Sequence, residues 1–297
     1  MVVVTRNRRA RLLRTLARLH ATPRPPPVLV VDNGSSDGTV DAVRRAWPRV
    51  RMLPLGRNLG AAGRTEGVLA ATTPYVAFSD DDSWWEPGAL RRAVELFDAA
   101  PRLGLLAGRM TVHPGGREDP VCAAMAAGPQ SAAVPGGTDV LGFLACGAVV
   151  RRSAYLGVGG FHPRFGIGGE EELLALDLAS AGWVCAYTPE LLAHHEPDPA
   201  PRGADRQVRQ VRNALWTAWL RRHPGAVLRR TSAVLGAGWR TGVTWSGLAA
   251  AVSGLPWVLA QRRPVLPVVE ARRSALDRAG RAPEPTRGRA CGGTAEV

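Results

Sequence analysis

Three groups of side chains have the type and spacing to do chemistry. Asp80, Asp81 and Asp82 are consecutive and follow an apolar run, Tyr75 to Phe78. Glu170, Glu171 and Glu172 are consecutive and follow a glycine-rich turn, Gly166 to Gly169. His194 and His195 are adjacent in a chain that has six histidines. Two carboxylates about 6 Å apart repel by roughly 3 kcal/mol at an effective dielectric near 20, so the aspartate triplet needs a countercharge. A divalent cation and phosphate oxygens supply one. Mg2+ and Mn2+ take hard oxygen ligands, usually one or two carboxylates with the rest from substrate phosphate. A solvated turn after a strand accounts for the same aspartates, and acids in a first helical turn are favoured by the helix dipole alone. Neutral imidazole is a competent Mn2+ ligand, although a single histidine is more often structural.

These groups sit at the ends of predicted elements. Residues 2–7 read as a short buried strand, and Leu12, Leu13, Leu16 and Leu19 then recur at helical spacing. Residues 28–31, 50–53, 75–79 and 103–107 read as further strands, with helices beginning near Asp37, Gly60 and Pro87. Residues 113–137, rich in Gly, Pro and Ala, read as a loop, and the apolar stretch 140–150 re-enters the sheet. A helix starts at Glu170, a strand covers 183–187, and the two histidines lie just past it. Strands alternating with helices imply βαβ units and a parallel sheet, whose ligands bind at the carboxyl ends of the strands. Thr5–Arg8, Asp32–Asp37 and Asp80–Asp82 all fall at such ends, so one crevice can collect them.

The chain has 297 residues and a net charge of +13, and all 38 of its basic residues are Arg, which GC-rich codon bias explains more simply than a need for guanidinium. Residues 1–201 hold 21 Arg against 20 acids (+1), whereas 202–297 hold 17 against 5 (+12). This divides the chain into a near-neutral domain over 1–201, a basic, Trp-containing helical appendage over 202–280, and a disordered tail over 281–297. The appendage calls for an acidic partner, and an anionic membrane surface fits its interleaved Arg and Trp; a cap packed on the first domain is the alternative. The uncharged run Val243–Ala260 is about as long as a membrane span, but its Gly, Pro, Ser and Thr favour an interfacial or packed segment. The four cysteines form no CxxC pair and read as free thiols in a reducing compartment. With no signal peptide visible, the expected location is cytoplasmic, peripheral at the inner face of the plasma membrane.

Five segments, VVVTRNR, VVDNGSSDGT, GRNLGAAGRTEG, YVAFSDDD and GGEEELLALDLASAG, resemble in that order the family 2 glycosyltransferases, over about residues 1–200. The resemblance implies an α/β fold of the GT-A type: a Rossmann-like, mostly parallel central sheet flanked by helices. It implies inverting transfer of a sugar from a nucleotide-diphosphate donor, UDP- or dTDP-linked, to a hydroxyl of a glycan or lipid-linked acceptor, in cell-envelope polysaccharide synthesis. Mn2+ or Mg2+ is the implied cofactor. Carried onto this chain, Thr5, Arg6 and Asn7 border the nucleotide and Asp32 contacts the nucleoside. Asn58, Gly60 and Arg64 hold the base and diphosphate side, and Asp80 contacts the ribose. Asp81 takes the variable middle place on the donor side, where a solvent-facing carboxylate is the simpler expectation. Asp82 binds the metal, with His194 favoured over His195 to complete the site. Glu171 is the candidate general base and Glu170 the second candidate; Leu173 departs from the acid often found at its place. Residues 143–161 resemble the segment lining the donor-sugar pocket, where Cys146, Gly147 and Ala148 would let a sugar approach the backbone, or else form a tightly packed strand. Trp84 and Trp85 suit sugar stacking or the anchoring of a loop. Two rivals remain, a nucleotidyltransferase and an inactive glycosyltransferase-like binding protein. The first lacks its glycine-rich phosphate loop, since TRNRRAR has no glycine. Acid clusters in the near-neutral first domain argue against a nucleic-acid partner.

Overall fold

The computed structural model describes residues 1–198, 203–238 and 242–279. Strands and helices alternate through the first 80 residues: β1 (Val2–Thr5), α1 (Arg9–His20), β2 (Leu29–Asp32), α2 (Thr39–Ala46), β3 (Arg51–Pro54), α3 (Gly63–Ala70) and β4 (Tyr75–Asp80). They build a parallel sheet in the order β3-β2-β1-β4. Val2, Val3, Val30, Val31 and Phe78 are fully buried because helices cover both faces, which is why these strands read as continuous apolar runs. The helical spacing of Leu12, Leu16 and Leu19 turns one face of α1 onto Val3, Val30 and Val43.

The second half comprises β5 (Ser83–Trp85), α4 (Ala89–Ala99), β6 (Leu103–Val112), β7 (Arg117–Glu118), α5 (Pro120–Ala126), β8 (Thr138–Asp139), β9 (Ala148–Arg151), α6 (Arg152–Gly157), α7 (Glu170–Ser180) and β10 (Val184–His195). The sheet continues β4-β9-β6-β10-β5, and here every pairing along this path is antiparallel except β6 with β10. The sheet is therefore mixed, and the parallel pattern holds only as far as β4. The stretch expected to be a loop contains α5, opened by Pro120 and capped by Asp119, whose side chain accepts from the Val121 N–H at 2.9 Å. β10 runs through His194 and His195 rather than stopping before them. Its register shifts between Thr188 and Leu192, where Pro189 cannot donate to a ladder, so the apolar pattern breaks although the strand does not.

Five helices follow: α8 (Ala204–Arg221), α9 (Pro224–Gly238), α10 (Gly242–Ser253), α11 (Leu255–Gln261) and α12 (Pro267–Ala279). They pack on the first domain through two apolar clusters. Phe165 and Leu173 meet Leu215, Trp216, Leu220, Ala251 and Val258, while Leu141 and Leu176 meet Val265 and Val269. Full burial of a side chain such as Leu215 contributes about 1.5–3 kcal/mol. Arg221 pairs with Asp177, and Arg273 with Glu172 at 2.8 Å, fastening the appendage to α7. No single helix among the described residues is long and apolar enough to cross a membrane; α10 and α11 together are, but they are bent by 57°. The expected boundary near residue 201 and the tail 281–297 lie outside the described residues.

Candidate active site

Asp80, Asp81 and Asp82 end β4 and turn the chain into β5, and each meets a fixed partner. Arg64 of α3 pairs with Asp80. Thr5 Oγ1 donates to Asp81 Oδ2 at 2.9 Å. Arg8 Nη1 donates to Asp81 Oδ1 at 3.1 Å and to Asp82 Oδ2 at 2.8 Å, and Arg11 reaches Asp82 Oδ2 at 3.3 Å. Three arginines from α3 and from the start of α1 thus offset the like-charge repulsion within the protein itself. Asp81 is buried, not solvent-facing: Thr5 and Arg8 draw its carboxylate inward while Thr15 Oγ1 holds its carbonyl at 2.8 Å. Burial pushes the Asp81 carboxyl up to about 6; Arg8 opposes the shift and neighbouring Asp82 adds to it. Burial also works to raise Asp82, but the bond and charge of His195, with Arg8, outweigh it and hold this carboxyl below the usual range.

The structure places His195 Nε2 3.4 Å from Asp82 Oδ1. It places His194 elsewhere, with Nε2 bonded to Glu86 Oε2 at 2.7 Å and Nδ1 to His113 Nε2 at 3.1 Å. The histidine beside Asp82 is therefore His195, whereas His194 was the one expected there. Inside a strand successive side chains point to opposite faces, so only one of the two can face Asp82. Pairing with β5 sets which one, with His194 opposite Trp84 and His195 opposite Ser83. Burial lowers the proton affinity of His195, yet Asp82 outweighs it and leaves the imidazole above its ordinary value. Trp84 stacks on His194 and His113 and carries the Arg18 guanidinium at 4.1 Å, while the Trp85 indole is buried and donates to the Phe78 carbonyl. These contacts hold both rings in place. A cleft of about 720 Å3 beside them, walled by Arg18, Trp84, Glu86 and His113, is lined by none of Asp80, Asp81, Asp82, Glu170 and Glu171.

At the other end of the crevice, Asp32 Oδ2 accepts from the Ser35 N–H at 2.9 Å, while Oδ1 is buried without a protein partner. Asn7 adopts φ 53°, a conformation asparagine tolerates, and stitches two strand-end loops together. Its N–H donates to Ser35 Oγ at 2.9 Å, and its Oδ1 accepts from the Ser36 N–H at 2.8 Å. Asn58 Oδ1 accepts from the Gly60 N–H at 2.9 Å. Gly60 has φ 60°, and a Cβ there would lie 2.8 Å from the Gly166 backbone. These two residues shape the loop and dock it on the 166–169 turn. Arg6 is exposed at the rim.

The two glutamates, at the start of α7, act on the same arginine as Asp80. The buried Arg64 guanidinium carries the charges of Asp80, Glu170 and Glu171 around it, which raise its proton affinity although burial opposes them. Glu170 is buried and accepts from the Gly168 N–H, while Glu171 is half-buried. Burial first, and the charge of Glu170 second, raise the Glu171 carboxyl well above the ordinary carboxylate range. The buried Cys146 thiol is raised by burial and by Asp80, Asp82 and Glu171, with Arg64 opposing. Carboxylates from the end of β4 and the start of α7 therefore act on one small side chain. Gly147 sits deeper, where a Cβ would lie 2.8 Å from Met110 Cε. Asn213 was not singled out in the sequence. Fully buried in α8, it donates to the Phe165 carbonyl at 2.9 Å and the Gly168 carbonyl at 2.7 Å, bracing the turn before Glu170. A buried Asn within the apolar face of a helix is the signal that marks it.

The profile of glycosyl transferase family 2 matches residues 1–156. The chain belongs to glycosyltransferase family 2. An N-acetylglucosaminyl-diphospho-decaprenol L-rhamnosyltransferase of Mycobacterium tuberculosis is 33% identical over 231 residues, covering 66% of this chain and 75% of the relative. Among solved structures, the mannosyltransferase PcManGT of Pyrobaculum calidifontis, in complex with GDP-Man and Mn2+, aligns with a TM-score of 0.56 at 18% identity, over 94% of this chain and 84% of that one. S. aureus TarS 1–349 in complex with UDP-GlcNAc aligns with a TM-score of 0.60 at 15% identity, over 93% and 87%. These likenesses establish the GT-A fold of this family 2 glycosyltransferase. As for a metal, no group of three or more His, Cys, Asp or Glu among the described residues is placed to hold one by itself. Asp82 with His195 is a two-residue oxygen–nitrogen donor set, which suits a cation that takes its other ligands from phosphate and water.

Proposed function

We propose that this glycosyltransferase moves a sugar, with inversion, from a UDP- or dTDP-linked donor to a hydroxyl of a lipid-linked glycan in cell-envelope polysaccharide synthesis. L-Rhamnose is the first donor sugar to test, from the name of the M. tuberculosis relative. The pairing of Arg64 with Asp80, and the charge that Asp80, Asp82 and Glu171 together exert on Cys146, support the reading most, because they link the nucleotide-side carboxylates to a carboxyl of raised proton affinity.

In this reading the unpaired Asp32 Oδ1 accepts from the nucleobase, and Asn7 and Asn58 keep the surrounding loops in shape. Arg8 and Arg11 present positive charge to the diphosphate. Mn2+ or Mg2+ held by Asp82 and His195 would neutralise charge on the departing nucleotide, as it does in metal-assisted transfer generally. Glu171 takes the proton of the acceptor hydroxyl as its oxygen bonds to the anomeric carbon, and the bond to the donor phosphate breaks with its electron pair going to the phosphate oxygen. Glu170, tied to Gly168, fixes the first turn of α7 and so positions Glu171.

A thermal-shift screen of UDP- and dTDP-sugars with and without Mn2+, followed by transfer to a short polyprenyl diphosphate glycan read by mass spectrometry, tests the proposal. A Mn2+-dependent shift with one donor, lost in Asp82→Asn, is expected. A protein that binds no nucleotide sugar under any condition would sink it.

A further inference from the structure

The bent pair α10–α11 carries a surface that the reaction leaves unused. Trp245, Ala249, Val252, Pro256 and Leu259 recur along one helical face and are all exposed, Trp245 at 49% and Leu259 at 67%. Leu228 and Leu235 of α9 stand exposed seven residues apart, and Leu266 and Val268 are exposed further along the chain. Soluble monomers seldom expose so many large apolar side chains close together in the chain. The charge around them has one sign. From Arg206 to Val269 the sequence has ten Arg and no Asp or Glu, and Arg229, Arg230 and Arg263 are exposed. The opposite face of the pair is packed protein: Gly247 lies against Val211 of α8, and Ala251 and Val258 join Leu215 and Trp216.

We propose that α10–α11, with the outer face of α9 and its arginines, is an interfacial docking surface for an anionic lipid bilayer. Trp and Leu on one face of a helix with Arg beside them suit shallow insertion among headgroups, where apolar burial and attraction to anionic lipid add. A spanning arrangement does not fit, since one face of the pair is already committed to α8 and the axis bends by 57°. The appendage is bonded to the segment that precedes Glu170. The α11 residue Gln261 bonds to His162 at 3.2 Å, and α8 holds the Gly168 carbonyl through Asn213 at 2.7 Å. Docking therefore anchors the helices that brace the turn before Glu171. The surface is argued from its own residues and stands whether or not the acceptor is lipid-linked.

Flotation of the full chain with vesicles of phosphatidylcholine alone, or of phosphatidylcholine with phosphatidylglycerol, tests it. The wild type rises with the anionic vesicles, about tenfold or more in preference to the neutral ones, and less at high salt. The triple variant Trp245→Glu/Val252→Glu/Leu259→Glu stays at the bottom with an unchanged Tm, since all three side chains are exposed. Its donor-induced thermal shift stays that of the wild type, so a protein that binds no donor yet floats refutes the glycosyl-transfer reading and not this one. Wild type that does not float, equal flotation with neutral vesicles, or a triple variant that floats like the wild type overturns the proposal. So does a wild-type dimer that the triple variant turns into a monomer without any flotation, which assigns the face to a second copy.

Discussion

Replacing Asp81 by asparagine should stabilise this protein near neutral pH, although Asp81 is buried and fully hydrogen-bonded. In the folded chain its carboxyl keeps its proton up to about 6, against 3.8 in the unfolded chain. Stability falls with rising pH wherever the folded state binds more protons. The ionisation of Asp81 thus costs nothing below the unfolded value, and its cost grows as pH rises towards 6. It is complete above that, at about 3 kcal/mol, with about 1.4 kcal/mol for each tenfold in proton affinity. The amide carries no charge and avoids this cost. It gives up the charged half of the bond from Arg8, whose side chain is 37% exposed and solvent-screened, so about 1 kcal/mol is lost. The net gain is about 2 kcal/mol at pH 7.5, or a Tm about 4–8 °C higher for a protein of this size. Thermal unfolding of Asp81→Asn and wild type in chelator, at pH 7.5 and near pH 4.5, measures it. The gap should close at the lower pH. A variant less stable than wild type at pH 7.5, or a gap that ignores pH, refutes the view that crowded, desolvated carboxylates strain this turn.

Three further outcomes follow from the same geometry. His195→Ala should weaken Mn2+-dependent donor binding by about tenfold or more, whereas His194→Ala leaves it nearly unchanged; equal losses would contradict the strand register that separates the two. Glu171→Gln should lower transfer by about 10²–10⁴-fold while donor-induced thermal shifts persist, and the wild-type rate should rise with pH through a step above the ordinary carboxylate range; a rate flat down to pH 5 would remove Glu171 as the base. Asn213→Ala leaves the Gly168 carbonyl without its partner and the Phe165 carbonyl with Arg212 alone, costing about 1–3 kcal/mol, and should lower kcat more than it changes KM; an unchanged Tm would show that α8 does not brace the turn.

Much of the parallel half was legible in the sequence because its signals are local. Val2–Val4, Val28–Val31 and Tyr75–Phe78 are continuous apolar runs, and each is followed by a polar cluster at the strand's carboxyl end. The second half was harder. β5 is three residues long, too short to show a period, and α5 is a seven-residue Ala-rich turn inside a Gly/Pro-rich stretch. Pro189 masked the continuation of β10, and with it the fact that both histidines belong to a strand. Arg8 and Arg11 looked like ordinary basic residues at a helix start, and nothing near them in the chain indicates that they neutralise the aspartates.

Strand ends, acid clusters and the charge divide near residue 201 depend on side chains close together along the chain, and so they could be read before any folding was considered. The partner of each charge could not, because Arg8 and Asp82 are 74 positions apart and meet only once β1 and β4 lie side by side. The same holds for His195 over His194, set by pairing with β5, and for the bare face of α10–α11, set by which side α8 covers. Periodicity tells which side chains share a face, but packing alone tells what that face meets.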